Sequence, residues 1–335
     1  MKVSAKAFSN IALIKYWGRA AGFDPALNLP LNDTVSMTKY GLLDDTHLMS
    51  HTTIDFSATY EQDIAILNGK PIVGRGLERI LSVIDPLRKL AGNRDRFYMK
   101  SHNDFPTKAG LASSASGFAA LAVAASNALD LKLSPEVLST YVRLGSGSAA
   151  RSVFGGFVYF HKGNSHETSY AEKLCTCAEF DLCVVIAVVD ADEKKVSSDE
   201  GHQTAETSPF NDIRIAKSQE QAVIVKNAIL NNDFTTVGRV AEENCKYMHA
   251  VMMTSNPPLF YWSAATMTVI KSIMRFREEG LECYFTIDAG PNVHCLCHRR
   301  DLDVLKSKIG QIHGVKKVIP AIPADDVIIS DDHLF

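Results

Sequence analysis

From Pro106 to Ser116 the chain reads Pro-Thr-Lys-Ala-Gly-Leu-Ala-Ser-Ser-Ala-Ser, small and hydroxylated residues placed where a turn passes into an alanine-rich helix pattern running from Leu111 to Leu129. Such a stretch can bind phosphate. Glycine and alanine let a polyphosphate approach the backbone, the unpaired N–H groups at a helix start point at it, and serine hydroxyls hold phosphate oxygens or a metal ion. An ordinary capped core helix has the same composition, so the stretch alone leaves both readings open. Neither G-x-x-x-x-G-K-[ST] nor G-x-G-x-x-G occurs, which leaves a Walker-type or dinucleotide-binding fold without support.

Three charged residues stand where their neighbours call for a partner. Asp288 closes the apolar run Cys283–Ile287 and enters Ala289-Gly290-Pro291, a turn able to present a carboxylate to a cleft. By itself, Asp-Ala-Gly more commonly caps a turn. Arg151 follows Gly145-Ser146-Gly147-Ser148-Ala149-Ala150, so its guanidinium can reach an anion past small neighbours and grip a carboxylate with two parallel hydrogen bonds. The alternative is a surface arginine in a serine-rich loop. Lys15 sits in a mostly apolar segment, where a lysine is costly unless it is paired or faces a cleft.

The elements that must position these groups are partly readable. Val3 to Phe8 reads as a strand, followed by loop through Leu27-Asn28-Leu29-Pro30. A helix pattern through Leu77, Ile80, Leu81, Val83 and Ile84 meets Pro86, which predicts a kink or an end. Arg96 to Lys100 predicts a strand, and Ser134-Pro135 starts a further helix with serine as N-cap. Val153–Phe160 and the apolar Leu182–Val189 predict strands. Ile215–Ala250 and Pro258–Gly280 predict long helices, and Cys283–Asp288, Val293–Cys297 and Val315–Pro320 predict short strands. The acidic tail from Ala324 to Phe335 is read as docking or fraying.

Composition bounds the partners. With 335 residues and 46% hydrophobic content, the chain exceeds the size at which one core usually divides, so two lobes are expected. A formal charge of -3 supplies no basic field for nucleic acid or an anionic membrane, so an anionic substrate must be met by a local cationic cluster. Small molecules are the expected partners. Seven cysteines without zinc-type spacing argue against a disulfide framework and fit a reduced cytoplasm. No apolar h-region follows MKVSAKAFSN and no apolar run approaches the ~18 residues of a membrane span, so a protein neither secreted nor embedded is expected.

The phosphate loop resembles that of the galactokinase, homoserine kinase, mevalonate kinase and phosphomevalonate kinase (GHMP) superfamily. Within it, Asn10-Ile11-Ala12-Leu13-Ile14-Lys15-Tyr16-Trp17-Gly18, Leu27-Asn28-Leu29-Pro30, Gly145 to Ser152 and Asp288-Ala289-Gly290-Pro291-Asn292 are similar in order and spacing to mevalonate diphosphate decarboxylases. Lys194 to Ser198 and Asn256 to Tyr261 also match, so the likeness extends over nearly the whole chain.

The resemblance implies a mixed α/β (α+β) fold of two lobes. Residues 1–185 would form an N-terminal lobe of the ribosomal S5 domain 2 type carrying the ATP loop, and 186–335 a C-terminal GHMP-kinase-type lobe, with the active site in the cleft between them. It implies ATP-dependent decarboxylation of (R)-5-diphosphomevalonate to isopentenyl diphosphate, with ADP, phosphate and CO2 released, through 3-phosphorylation and then elimination. Asp288 would be the base, Lys15 would neutralise charge in phosphoryl transfer, and Arg151 would hold the substrate carboxylate. Tyr16 and Arg19 would reach the distal phosphates, Trp17 and Gly18 would shape the wall, and Ser146, Gly147, Ser148, Ala149 and Ala150 would line the substrate beside Arg151. Arg79 and Asp199 are further candidates on the substrate side. For ATP, the matching positions are Ser101, Asn103, Pro106, Ala109, Gly110, Leu111, Ala112, Ser113, Ser114 and Ser198. Magnesium comes with ATP, and its ligands are unknown from sequence, as expected of an ion that keeps waters and uses one or two protein groups. A homodimer is implied; His202, His249 and His294 receive no role.

Three positions depart from the pattern. Arg19 stands in place of lysine, Lys108 in place of alanine, and Asp199 where bacterial relatives often carry arginine. A carboxylate at 199 would repel a diphosphate unless a cation intervened. These changes keep open a 5-phosphomevalonate decarboxylase giving isopentenyl phosphate. The other alternative is a mevalonate 3-kinase without the decarboxylation step, against which the retention of Lys15, Arg151 and Asp288 speaks.

Overall fold

The computed structural model describes residues 1–20, 22–105, 113–190 and 198–335. The expectations for Pro106, Lys108, Ala109, Gly110, Leu111 and Ala112 lie outside the described residues, as do those for the side chains of Ser113, Ser198 and Asp199.

Two sheets carry the fold. In chain order the strands are β1 (Val3–Phe8), β2 (Asn10–Ile14), β3 (Thr34–Gly41), β4 (Met49–Ser57), β5 (Ile64–Leu67), β6 (Lys70–Pro71), β7 (Arg96–Asn103), β8 (Phe157–Phe160), β9 (Ala171–Cys175), β10 (Cys183–Val188), β11 (Cys283–Thr286), β12 (Val293–Cys297), β13 (Lys317–Pro323) and β14 (Ile328–Ser330). The helices are α1 (Arg75–Leu90), α2 (Ser113–Ala128), α3 (Pro135–Gly145), α4 (Ser198–Thr204), α5 (Asn211–Leu230), α6 (Phe234–Thr254), α7 (Ala264–Glu278) and α8 (Leu302–Gly310). A six-stranded sheet runs β14-β1-β4-β7-β5-β6, and an eight-stranded sheet runs β11-β12-β10-β13-β3-β8-β9 with β2 paired to β3. The expected lobe boundary at 185/186 falls inside β10, and β13 pairs with β3, so one sheet joins strands from both sides of it.

Apolar layers cover one face of the first sheet and both faces of the second. Ile54, Phe97 and Met99 of the first sheet pack under α1, α2 and α3 through Val83, Leu87, Ala119, Ala122 and Val142. The second sheet packs one face on α5 and α6, with Leu13, Met37, Val184 and Ile186 against Val225, Val237 and Ala241. Its other face, with Val185, Phe285 and Cys295, packs on α7 and α8 through Val269, Ile273, Leu305 and Ile309.

The structure corrects several sequence expectations. Helix α1 continues through Pro86 to Leu90. Its buried face extends past the proline to Leu87, and Arg88 donates to both carboxylate oxygens of Asp63, at 2.9 and 3.0 Å, which anchors the last turn. Residues Gly147–Val153 form a 3-10 helix, so only Phe157–Phe160 of the expected Val153–Phe160 strand is extended. The long helix expected over Ile215–Ala250 is two, broken at Asn232, which takes φ 58°, and restarted by Asp233, whose side chain caps α6. Ser134 caps α3 as expected, its side chain accepting from Val137 N. The C-terminal tail docks: β14 pairs with β1, and Lys2 Nζ donates to the Phe335 carbonyl at 2.7 Å.

Candidate active site

Strand β2 ends at Ile14, and the next residue, Lys15, leaves the sheet with its side chain only 1% exposed. Its ammonium donates to Asp288 Oδ1 at 2.6 Å and to the Ala12 carbonyl at 2.8 Å. The backbone of Lys15 is fixed as firmly: its N–H donates to Asn244 Oδ1 of α6, and its carbonyl accepts from Asn32 Nδ2. The burial cost of the lysine is thus met by a carboxylate and a full set of backbone partners.

Asp288 stands two residues past the end of β11. The peptide before it is held by α6, where Cys245 Sγ accepts from Ile287 N at 3.2 Å and His249 Nε2 lies 3.3 Å from the Ile287 carbonyl. Burial alone would raise the Asp288 carboxyl, but the charge and hydrogen bond of Lys15, helped by Arg151, outweigh it and hold it below the ordinary carboxylate value. The side chain keeps 27% exposure, so an ionised carboxylate faces open space with its cation behind it.

Arg151, carried by the 3-10 helix after α3, is 2% exposed. Nη1 donates to Thr34 Oγ1 and Nη2 to Asn10 Oδ1, both at 3.2 Å, while Nε has no hydrogen-bond partner among the described residues. Asn10 is itself fixed by donating to Ser152 Oγ at 2.8 Å and to the Ser148 carbonyl at 3.0 Å. A buried guanidinium with neutral partners and one orphan donor is built to meet an anion.

The serines beside it form a row: Ser146 Oγ lies 3.2 Å from Ser148 Oγ and 3.5 Å from Ser114 Oγ, in the first turn of α2. These hard, neutral oxygens suit phosphate oxygens and a magnesium ion that keeps its own waters. Among the described residues no cluster of three or more His, Cys, Asp or Glu side chains could hold a metal ion by itself. Gly147 allows the close approach of Tyr16, since a Cβ there would sit 2.6 Å from the Tyr16 ring. Ala149 and Ala150 are fully buried and pack under α2.

Tyr16 donates its hydroxyl to the Asn28 carbonyl at 3.0 Å, and burial raises its pKa, so it stays a neutral donor. Trp17 is buried in a cluster with Met248, Met252, Leu259 and Ala289, which ties the segment to the residue following Asp288. Gly18 takes φ +80° with Leu31 against its Cα, and Arg19 forms a bridge with Pro30. Arg79 donates through Nε and Nη2 to the Gly145 carbonyl, which sets it against the end of α3 next to Ser146. Of the residues expected to meet ATP, Ser101 shares a 2.9 Å hydrogen bond with Thr52, and Asn103 Oδ1 accepts from Ser50 at 2.6 Å.

Sequence reasoning missed the groups that hold these residues: Asn10, Asn32, Thr34, Asn244, Cys245, and His202, which accepts from Gly18 N. Asn10 lay in a stretch already singled out, at the start of the segment that carries Lys15. The others belong to elements whose approach only the tertiary fold shows.

A two-sheet α/β fold that sets a lysine–aspartate pair, a buried arginine and a serine row at the start of a helix together defines a GHMP-kinase-type phosphoryl-transfer protein. Residues 7–171 match the diphosphomevalonate decarboxylase-like N-terminal domain, and residues 184–326 match the mevalonate 5-diphosphate decarboxylase C-terminal domain. The chain is 37% identical over 326 residues to the diphosphomevalonate decarboxylase of Aspergillus fumigatus, covering 91% of this chain and 79% of that one. It is 33% identical over 295 residues to the phosphomevalonate decarboxylase of Haloferax volcanii, covering 88% and 87%. The solved complex of MDDEF with MVAPP, AMPPCP and magnesium superposes with a TM-score of 0.89 at 36% identity and 99% coverage of both chains. The chain belongs to the mevalonate diphosphate decarboxylase family.

Proposed function

We propose that this chain catalyses the ATP-dependent decarboxylation of (R)-5-diphosphomevalonate to isopentenyl diphosphate, releasing ADP, phosphate and CO2. The observation that carries the reading is the Lys15–Asp288 pair at 2.6 Å beside the orphan donor of Arg151, in a chain of this family. In the first step the C3 hydroxyl oxygen attacks the γ-phosphorus of ATP and its bond to ADP breaks. The Asp288 carboxylate accepts the hydroxyl proton, and Lys15 offsets the developing negative charge. In the second, the C1–C2 bond breaks, its electron pair forms the C2=C3 alkene, and the C3–O bond breaks to release phosphate. Arg151 holds the carboxylate so that this bond is aligned for loss of CO2.

ATP binds with magnesium in this reading, as AMPPCP and magnesium do in the MDDEF complex. Ser114 serves the ATP phosphates, Ser146 and Ser148 line the substrate beside Arg151, and a magnesium ion bound with ATP would neutralise charge between them. Ser101 and Asn103 lie on the nucleotide side, while Tyr16, Arg19 and Arg79 serve the substrate's distal phosphates. A nucleotide lobe of 1–185 and a lobe of 186–335 carrying Asp288 complete the reading, with a homodimer in the cytoplasm. Among the described residues no helix is long and apolar enough to cross a membrane.

The test is ADP and CO2 release with ATP, magnesium and either mevalonate 5-diphosphate or 5-phosphate. Equal release of both products with the diphosphate supports the proposal. ADP alone makes the protein a 3-kinase, and turnover confined to the monophosphate re-specifies the pocket.

A further inference from the structure

The backbone from Lys15 to Gly18 is held by side chains from the C-terminal half of the chain. Asn244 of α6 accepts from Lys15 N, Arg214 of α5 donates to the Trp17 carbonyl at 2.9 Å, and His202 of α4 accepts from Gly18 N at 2.9 Å. The third tether has features that the first two lack. Gly18 is buried with φ +80°, and its buried N–H is satisfied by His202 Nδ1. Because Nδ1 accepts, the proton of the neutral imidazole sits on Nε2. The ring is also wedged between the two residues before Gly18, 4.8 Å from the Tyr16 ring centroid and 4.6 Å from that of Trp17.

The neighbours of His202 dock on the same spot. Gly201 lies so close to Trp17 that a Cβ there would overlap the indole, and Ala205 Cβ lies 3.6 Å from where a Gly18 Cβ would stand. Helix α4 and the turn after it therefore sit directly on Trp17 and Gly18, with His202 as the polar contact.

We propose that His202 is a positioning residue for substrate recognition: through Gly18 N and the Tyr16 and Trp17 rings it sets where Tyr16 and Arg19 meet the phosphorylated end of the substrate. This rests on the reading that the Tyr16–Arg19 segment faces that end. The role concerns substrate phosphate recognition and leaves ATP binding and the Lys15–Asp288 chemistry alone.

Two substitutions separate the parts. H202F keeps an aromatic ring and removes the acceptor; H202N keeps an acceptor oxygen and removes most of the ring. Expected for H202F is a rise of about tenfold in KM for the phosphorylated mevalonate, with KM for ATP and kcat within about twofold, and H202N within about threefold of wild type. Amide exchange at Gly18 should quicken in H202F and stay protected in H202N. A wild-type substrate KM in H202F, an equal rise in KM for ATP, or loss of kcat that H202N does not rescue would overturn the proposal. If H202F fails to fold, judged by its melting curve, H202A serves as the acceptor-free variant. If the wild-type protein turns over neither substrate, the proposed reaction has failed, and Gly18 exchange alone decides whether His202 holds this segment; unchanged exchange in H202F then sinks it.

Discussion

Lys15 Nζ and Asp288 Oδ1 are 2.6 Å apart although the residues lie 273 positions apart in the chain. The contact exists because β2 and β11 both end under α6, which hydrogen-bonds the Lys15 backbone through Asn244 and the Ile287 peptide through Cys245. Asp288→Asn keeps the shape and removes the charge. ADP and CO2 release should both fall by about 10^3-fold, within the range for loss of a positioned acid–base group. The lost partner also leaves Lys15 buried, but partial exposure of Asp288 should keep the stability cost below the roughly 3–5 kcal/mol of a fully buried broken pair. Parallel ADP and CO2 assays with a thermal melt check this; undiminished ADP release would take Asp288 out of the phosphoryl step.

The same pair has a pH signature. Burial pushes the Asp288 carboxyl up, Lys15 pulls it down further, and the net direction is down from 3.8. A depressed folded value stabilises the protein above the unfolded value and loses that stability as pH falls through the folded one. The difference in melting temperature between wild type and Asp288→Asn should therefore be flat near neutrality and narrow below about pH 4. A difference that widens in acid would contradict the assignment of Lys15 as the dominant partner.

Lys15, Arg151 and Asp288 were legible in the sequence because each is a charge among apolar or small residues, where burial demands a partner. What holds them was not. Thr34, Ser36 and Thr38 of β3 and Ser50, Thr52 and Thr53 of β4 are buried polar residues, so the polar positions of these strands face the interior, which their residue types do not announce. Those of β4 find partners on other strands, as Thr52 does on Ser101, Ser50 on Asn103 and Thr53 on Ser4. Pro86 does not end its helix, because the packing of Val83, Ile84 and Leu87 and the Arg88–Asp63 pair outweigh one lost helix hydrogen bond. The chemistry-bearing positions can be read locally, whereas their supports depend on contacts between distant elements.

Arg151 separates the two chemical steps. If its guanidinium orients the substrate carboxylate, Arg151→Gln should release ADP faster than CO2, lowering the product ratio below the one-to-one of coupled turnover. Overall rate should fall by about 10^2-fold or more. Lysine at the same position keeps the charge and loses the fork, and should recover only part of the coupling. A ratio that stays at one in Arg151→Gln, with both products equally slowed, would assign the arginine to phosphoryl transfer instead.

Gly147 tests the fit between the serine row and the substrate segment. A methyl group there would meet Cζ, the hydroxyl and Cε1 of Tyr16 at 2.6–2.8 Å, and Tyr16 is held by its bond to the Asn28 carbonyl. Gly147→Ala should displace the ring and raise KM for the phosphorylated substrate more than KM for ATP. An unchanged substrate KM would mean that Tyr16 does not shape that site.

Lys39 offers a test of the electrostatics beneath the site. It is fully buried on β3 and donates to Ser9 Oγ at 2.8 Å, a neutral acceptor. Burial lowers its pKa from 10.5 to about 7, with Asp288 raising it and Lys15 lowering it further. Between about pH 7 and 10.5 the unfolded chain binds the extra proton, so stability attributable to this residue rises with pH across that window and is flat below it. Lys39→Met removes the titration and leaves a side chain of similar length in the core. The variant should melt above wild type at pH 7, and its advantage should shrink steadily as the pH is taken toward 10. Calorimetric melts of both proteins at several values between these limits decide it: an advantage independent of pH would mean that Lys39 carries its charge in the folded protein throughout.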